Sequence, residues 1–153
     1  MKKLYVESSI EIEASPSRVW DILTKPEWTA KWAVEFGANG PIDSSWALGS
    51  PVLWRNSKGD VYVRGNVTAV IPNTLLRFTV CDVFSPDMRP TSGLAEDEIT
   101  QTYSLAGDGN RTILSTAHGD FVMLANGEKL YPLVIKLWDR LLPRIKELAE
   151  GAI

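Results

Sequence analysis

The first forty residues contain one strand-like pattern followed by two helix starts. From residue 4 to residue 13, apolar or small side chains alternate with polar ones. This period of two predicts a strand with one buried face. Ser15-Pro16 then has the form of a helix N-cap followed by a proline in the first turn. Pro26 repeats this signal, so we predict two short helices in succession.

The middle of the chain is punctuated like an antiparallel meander. Runs at residues 48–56, 60–71, 74–81, 97–105 and 111–118 are separated by turn sequences rich in Gly, Asn, Asp and Pro. They predict successive strands joined mainly by hairpins. The stretch from Asp82 to Glu96 is long for a loop. Such loops often cover or bind something, although a plain crossover between strands fits equally well.

The C-terminal segment predicts a long amphipathic helix. Apolar residues follow the three-four spacing of one helix face from Tyr131 to Ala149, and Gly151 comes after the last of them. Pro143 lies inside this pattern, so we expect a kink or a break. The order β-α-α, a run of strands and a final helix indicates an α+β fold, in which the last helix covers the apolar face of the sheet. A ligand pocket forms readily where a curved sheet and a helix diverge.

Composition and charge exclude several classes of partner. The length of 153 residues predicts one domain spanning 1–153, and 16 basic against 19 acidic residues give a net charge of −3. Because Lys and Arg are not clustered, we expect neither nucleic acid nor membrane as a partner. No apolar run is long enough for a membrane span, and glutamates interrupt any signal-peptide pattern, so we expect a cytoplasmic protein.

The residues that could carry chemistry are few. The one cysteine, Cys81, excludes an internal disulfide, and the one histidine, His118, excludes a histidine-rich metal site. Nucleophile elbows, phosphate loops, dinucleotide-binding turns and paired-cysteine motifs are missing from the sequence. We therefore predict no metal, no cofactor and no catalytic residue, and leave the question of catalysis open. Cys81 is expected to be a small buried thiol, and His118 a hydrogen-bonded histidine at the sheet rim or a general base.

Aromatic and amide side chains give the remaining signals. Six tryptophans fit an aromatic pocket for a flat or apolar ligand, and they also fit simple filling of the space between sheet and helix. Gln101 and Tyr103 fall on the apolar face of their strand. Because a buried amide is almost always hydrogen-bonded, Gln101 needs a protein partner, a water or a ligand.

Several short sequence motifs follow one another along nearly the whole chain. They are IEIEASPSRVW at 10–20, LTKPE at 23–27, GNV at 65–67, PNTLLRF at 72–78, TIL at 112–114, HGDF at 118–121 and WDRLLPRIKEL at 138–148. Together they resemble the START-like, or SRPBCC, superfamily, and within it the family named after the activator of heat-shock protein 90 ATPase. The resemblance implies the helix-grip fold, a curved antiparallel sheet wrapped around a long C-terminal helix.

The resemblance implies a fold more closely than an activity. The superfamily includes lipid and hormone carriers, polyketide cyclases and chaperone activators, and fold alone does not select among them. We expect binding of a small hydrophobic or amphipathic molecule in the cavity between sheet and helix. One alternative is a chaperone-associated interaction protein of the stress response, for which an exposed apolar patch on the convex sheet face would be evidence. The other is a cyclase-type enzyme acting on a polyketide-like substrate.

Strand parity and the resemblance together give the expected ligand-binding residues. Those expected to line the cavity are Trp54, Phe78, Gln101, Tyr103, Leu114, His118, Val134 and Trp138. Phe84 and Met88, in the long loop, are expected to cover its mouth. A one-residue error in register would turn a strand's set to the opposite face, so the burial of each strand tests these assignments. The sequence makes no prediction of the oligomeric state.

Overall fold

The computed structural model describes residues 3–82, 99–124 and 126–151. Short 3₁₀ turns follow the second helix and the last strand, at Ala33–Phe36 and Phe121–Met123. The helices and strands, in chain order, are β1 (Val6–Ile12), α1 (Pro16–Thr24), α2 (Pro26–Trp32), β2 (Pro51–Arg55), β3 (Val61–Ile71), β4 (Leu75–Asp82), β5 (Ile99–Asp108), β6 (Arg111–Gly119) and α3 (Gly127–Glu150).

The strands form one antiparallel sheet in the order β1-β6-β5-β4-β3-β2. Strands β2 to β6 make the predicted meander, and β1 pairs with β6 at the edge, with Val6 opposite His118. Register shifts between Trp54 and Arg55 and between Val67 and Ala69 mark bulges, which bend and twist a sheet. The long helix α3 covers the inner face of this curved sheet. The α+β, helix-grip architecture expected from the sequence is therefore confirmed.

The alternation along the strands assigns the inner face correctly. On β4, Leu76, Phe78 and Val80 are all buried. On β5, every second residue from Ile99 to Leu105 is buried in the same way. The outward-facing residues between them are mostly threonine, serine and arginine, and are half-buried or exposed. The strand registers inferred from parity are thus confirmed in the described part of the sheet.

Both predicted helix starts lie at the beginning of the short helices. The Ser15 hydroxyl accepts a hydrogen bond from the Arg18 backbone N–H at 3.2 Å, which caps α1, and Pro16 occupies its first turn. Helix α2 begins after Lys25 without a side-chain cap. The hydroxyl of Thr24, which precedes Lys25, donates to the Trp20 carbonyl at 2.8 Å and does not cap α2. Two short helices, separated by Lys25, are therefore confirmed.

Helix α3 is continuous where the sequence suggested an interruption. It runs from Gly127 to Glu150 with Pro143 inside it, so the expectation of a break there is wrong. Proline removes the N–H that would bond the carbonyl of Asp139. Because Asp139 and Pro143 both lie on the exposed face, water can satisfy that carbonyl. The opposite face, which includes Trp138 and Leu141, is buried against the sheet.

Candidate functional site

A cavity of about 170 Å³ lies between the inner face of the sheet and α3. None of its lining residues in the described part of the chain is Asp, Glu, Lys or Arg. The wall is therefore aromatic and aliphatic with a few polar atoms, as is typical of small-molecule sites. The lining residues are Phe36, Trp54, Tyr62, Val63, Phe78, Val80, Gln101, Tyr103, His118, Val134, Leu137 and Trp138.

Trp138 organises one end of this cavity. It lies on α3, is 1% exposed, and makes edge-to-face contacts with Tyr103 and His118 at ring-centroid distances of 6.2 and 6.3 Å. Phe36 contacts Trp138 at 5.4 Å and Trp54 at 5.1 Å, and so connects the two ends of the site. The Tyr62 hydroxyl donates to the Phe36 carbonyl at 2.8 Å, which holds the 3₁₀ turn against the sheet. These contacts fix the cavity walls by packing.

His118 is held as a neutral imidazole with a defined tautomer. The Trp138 indole N–H donates to His118 Nδ1 at 3.3 Å, so the proton of the neutral ring is assigned to Nε2. Burial lowers the pKa of His118 to about 4, because the charged form loses its hydration. Its Nε2 is buried and has no hydrogen-bond partner. His118 therefore presents an N–H donor at neutral pH.

Two further wall residues carry buried polar atoms without a partner. These atoms are the indole Nε1 of Trp54 and the hydroxyl of Tyr103. Burial also raises the pKa of Tyr103 above its usual value, so the phenol keeps its proton. Buried polar atoms are nearly always hydrogen-bonded, so three exceptions on one cavity wall call for an explanation. Gln101 is different, since its amide donates to the Thr102 carbonyl at 3.2 Å and thus has a protein partner.

The structure brings most of the expected ligand-binding residues together. Seven lie on the cavity wall: Trp54, Phe78, Gln101, Tyr103, His118, Val134 and Trp138. Leu114 does not line the cavity; it is buried in the core between Ile10 and Leu105, nearer the start of β6. Phe84 and Met88, expected to cover the mouth, lie outside the described residues. Their assignment stays a prediction.

Sequence reasoning missed five residues of the wall. Val80 shares the face of Phe78, and Val63 lies opposite Trp54, so strand parity and pairing could have found both. Leu137 follows Val134 by three residues on α3 and carries a similar helical signal. Phe36 and Tyr62 had no such signal. Phe36 belongs to a 3₁₀ turn, where neither the strand period nor the helix period applies.

Three of the other tryptophans make contacts away from the cavity wall. Trp32 donates to the Ile22 carbonyl at 2.7 Å, and Trp46 donates to the Thr24 carbonyl at 2.9 Å. Trp28 lies under the Arg18 guanidinium at 4.5 Å. These side chains fill and connect the helical layer. Cys81 is half-buried, where a fully buried thiol was expected, because it alternates with the inward-facing Val80.

Metal-binding side chains do not cluster in the described part of the chain. Across 3–82, 99–124 and 126–151, no three His, Cys, Asp or Glu side chains come together as a metal site would require. In the same ranges, none of the helices combines the length and apolar character needed to traverse a bilayer. The arrangement is thus a neutral, largely apolar cavity with three unsatisfied polar atoms, suited to binding an uncharged molecule.

Solved structures with this fold cover nearly the whole chain. The protein MLL2253 from Mesorhizobium loti is 20% identical with a TM-score of 0.72, covering 96% of this chain and 98% of its own. The Aha1 dimer from Colwellia psychrerythraea is 19% identical with a TM-score of 0.70, covering 95% and 96%. DynU16, from the dynemicin biosynthetic locus, is 19% identical with a TM-score of 0.69, covering 98% of this chain and 49% of its own. At these identities the likeness shows the fold alone.

Sequence comparison is more specific about the family. No curated protein is significantly similar to this chain. The family model described as "Activator of Hsp90 ATPase homolog 1-like protein" matches residues 13–150, which is most of the chain and includes every described wall residue. With the helix-grip fold and this match, the chain belongs to the Activator of Hsp90 ATPase homolog 1-like family of the START-like superfamily.

Proposed function

We propose that this protein binds a small hydrophobic or amphipathic molecule in the cavity between the sheet and α3. The observation that carries the proposal is the set of three buried polar atoms, on Trp54, Tyr103 and His118, that lack a protein partner on one otherwise apolar wall. A bound molecule would satisfy these atoms and fill the space at once. That this occurs in the cytoplasm stays a prediction from the sequence.

The size of the cavity also supports a ligand. Side chains that face a cavity of about 170 Å³ lack packing partners on that side, and a bound molecule would supply them. Water can bridge only the polar part of the wall, because a buried water needs two to four polar partners and most of this wall is apolar. An apolar molecule with a polar group suits both parts of the wall.

Native mass spectrometry of the freshly purified protein tests the proposal. We expect a small adduct that disappears when the protein is denatured in organic solvent, and its mass identifies the ligand class. The matched variants are Val134→Trp, which fills the cavity from α3, and Leu133→Trp, one residue away and 63% exposed. The adduct should be lost in the first variant and kept in the second. An adduct that persists in Val134→Trp would contradict the proposed site.

A second candidate function is association with a chaperone. It is favoured by the description of the family and by the Aha1 name of the Colwellia relative. The outer sheet face gives it no support, since exposed apolar side chains there, such as Ile71 and Ile113, are separated by polar ones in the described strands. The test is the ATPase rate of purified Hsp90 with and without this protein. A stimulated rate that survives Val134→Trp would favour this function over ligand binding.

The cyclase-type alternative depends on an acid or base in the cavity. His118 is the natural candidate, but Nδ1 accepts from Trp138 and Nε2 holds the proton, so the neutral ring has no free lone pair. As it stands, the ring can donate a hydrogen bond and cannot remove a proton. If His118→Ala abolished turnover of a polyketide-like substrate while preserving its binding, catalysis would replace simple binding as the function.

A further inference from the structure

The unpartnered atoms also restrict the chemistry of the ligand. Building on the ligand-binding function proposed above, we infer that the ligand is an uncharged molecule with one aromatic ring and a hydrogen-bond-accepting oxygen, such as a ketone or ester carbonyl. Tyr103 and His118 bind that oxygen, and Trp54 offers a further donor at the other end of the cavity.

The unpartnered atoms are mainly hydrogen-bond donors, so the ligand needs a hydrogen-bond acceptor. The indole N–H of Trp54 can only donate. His118 Nε2 also donates, because Nδ1 already accepts the Trp138 N–H. The Tyr103 hydroxyl can donate or accept. A ligand with only donor groups would leave His118 Nε2 and Trp54 Nε1 unsatisfied, whereas one acceptor oxygen can satisfy His118 and Tyr103 together.

Tyr103 and His118 are diagonal neighbours on the inner face of the sheet. They occupy adjacent strands on the same face, since Gln101 is opposite His118 and Tyr103 is opposite Thr116, two residues further along each strand. The Cα atoms of such diagonal neighbours are about 7 Å apart. The rings of Tyr103 and His118 each contact Trp138. A carbonyl oxygen has two lone pairs and can accept from both side chains. Trp54, on β2, contacts Phe36 at the opposite side of the site.

The charge of the wall selects an uncharged molecule. No described wall residue is an acid or a base that is charged at neutral pH, since His118 is held neutral. Burying an unpaired carboxylate or ammonium in such surroundings is strongly unfavourable. A neutral carbonyl gains hydrogen bonds without that desolvation penalty. Carboxylic acids and amines are therefore expected to bind poorly.

The volume of the cavity suits a ligand with one aromatic ring. A cavity of roughly 150 Å³ in another protein core accepts benzene. This cavity, at about 170 Å³, is slightly larger, which leaves room for one ring and a small substituent. Phe36, Phe78 and Trp138 provide aromatic edges and faces for such a ring. Packing of the ring against them adds to the affinity.

Two probes of equal shape isolate the carbonyl. Acetophenone and α-methylstyrene differ only in that the oxygen of the first is a methylene group in the second. Their binding is measured by ¹H–¹⁵N NMR titration, in which the indole N–H of Trp54, assigned with Trp54→Phe, reports from inside the cavity. We expect acetophenone to bind about tenfold more tightly, the effect of one or two hydrogen bonds to buried donors. Benzoate and benzylamine, which are charged at neutral pH, should bind more weakly than either.

Variants assign the preference to the wall donors. Tyr103→Phe removes one hydroxyl and keeps the ring, so the acetophenone advantage should fall by about threefold while α-methylstyrene binding is retained. Tyr131→Phe is the matched control, because its hydroxyl donates to the Tyr5 carbonyl at 2.9 Å and it does not line the cavity. That variant should keep the full preference.

The outcomes separate the two proposals. Equal binding of acetophenone and α-methylstyrene, both abolished by Val134→Trp, would overturn this inference and leave the ligand-binding function standing. Tighter binding of benzoate or benzylamine would also overturn it. If no probe shifts any cavity resonance, this inference fails, and the adduct seen or not seen in native mass spectra decides the ligand-binding function separately. A carbonyl preference that Tyr103→Phe reduces and Tyr131→Phe does not would support the inference.

Discussion

The hydroxyl of Tyr103 should destabilise the ligand-free protein. It is buried in the cavity wall without a hydrogen-bond partner, whereas in the unfolded chain it is hydrated. An unsatisfied buried polar group costs about 1–3 kcal/mol. Tyr103→Phe removes the hydroxyl and leaves the ring contacts with Phe78 and Trp138 in place. We therefore expect this variant to gain about 1 kcal/mol of unfolding free energy, or roughly 2–4 °C in melting temperature for a domain of this size.

The assay is urea denaturation of protein refolded from denaturant, so that bound small molecules are removed. Tyr131→Phe is again the control, because it loses a hydrogen bond of 2.9 Å and should be destabilised by about 1 kcal/mol. The same chemical change thus shifts the midpoint in opposite directions at the two positions, with the urea m-value unchanged. A loss of stability in Tyr103→Phe equal to that in Tyr131→Phe would refute the reasoning, since it would mean that the hydroxyl has a partner in the ligand-free protein.

Three other predictions concern His118, the sheet and Trp138. Burial lowers the His118 pKa to about 4, so its contribution to the unfolding free energy should be fully present above pH 6.5 and fall by up to about 3 kcal/mol as the pH drops towards 4. In His118→Gln, the urea midpoint should therefore change less with pH between 6.5 and 5 than in the wild-type protein. In Gly65→Ala the new Cβ would lie 1.7 Å from the Thr79 carbonyl oxygen, so we expect the unfolding free energy to fall by more than about 2 kcal/mol. An unchanged melting temperature would contradict that close approach. Trp138→Phe removes the donor to His118 Nδ1, so imidazole ¹⁵N spectra should show both neutral tautomers, whereas a single Nε2–H form would indicate another constraint.

The periodic parts of the fold could be predicted because burial repeats with the backbone. Every second residue of β4 and β5 faces the core, so parity alone assigns Phe78 and Tyr103 to the inner face. Ser15-Pro16 marks the start of α1 because its cap is made by neighbouring residues. Pro143 does not break α3, because it lies on the exposed face, where water can hydrate the freed carbonyl of Asp139. That condition depends on which face is exposed, which is a tertiary property.

The site was only partly predictable, because parity identifies a face and not a position along it. Leu114 and His118 share the inner face of β6, yet only His118 reaches the cavity, while Leu114 is packed between Ile10 and Leu105. Phe36 could not be predicted, because the hydrophobic pattern of its 3₁₀ turn follows neither the strand period nor the helix period. The missing partners of Tyr103 and His118 could not be inferred from sequence either, since they depend on every atom within hydrogen-bond reach.

The arrangement of the cavity is more easily explained by binding than by packing. Single substitutions such as Tyr103→Phe would remove an unsatisfied atom without disturbing the sheet, and larger side chains at Val134 would fill the space. Stabilising changes of this kind are commonly accessible, and their recurrent cost is a loss of function where the site needs the destabilising group. The Trp138–His118 hydrogen bond supports the same interpretation, because it occupies Nδ1 and leaves the N–H of the imidazole on Nε2. The proposed neutral carbonyl ligand would fill the cavity and accept a hydrogen bond from this oriented donor.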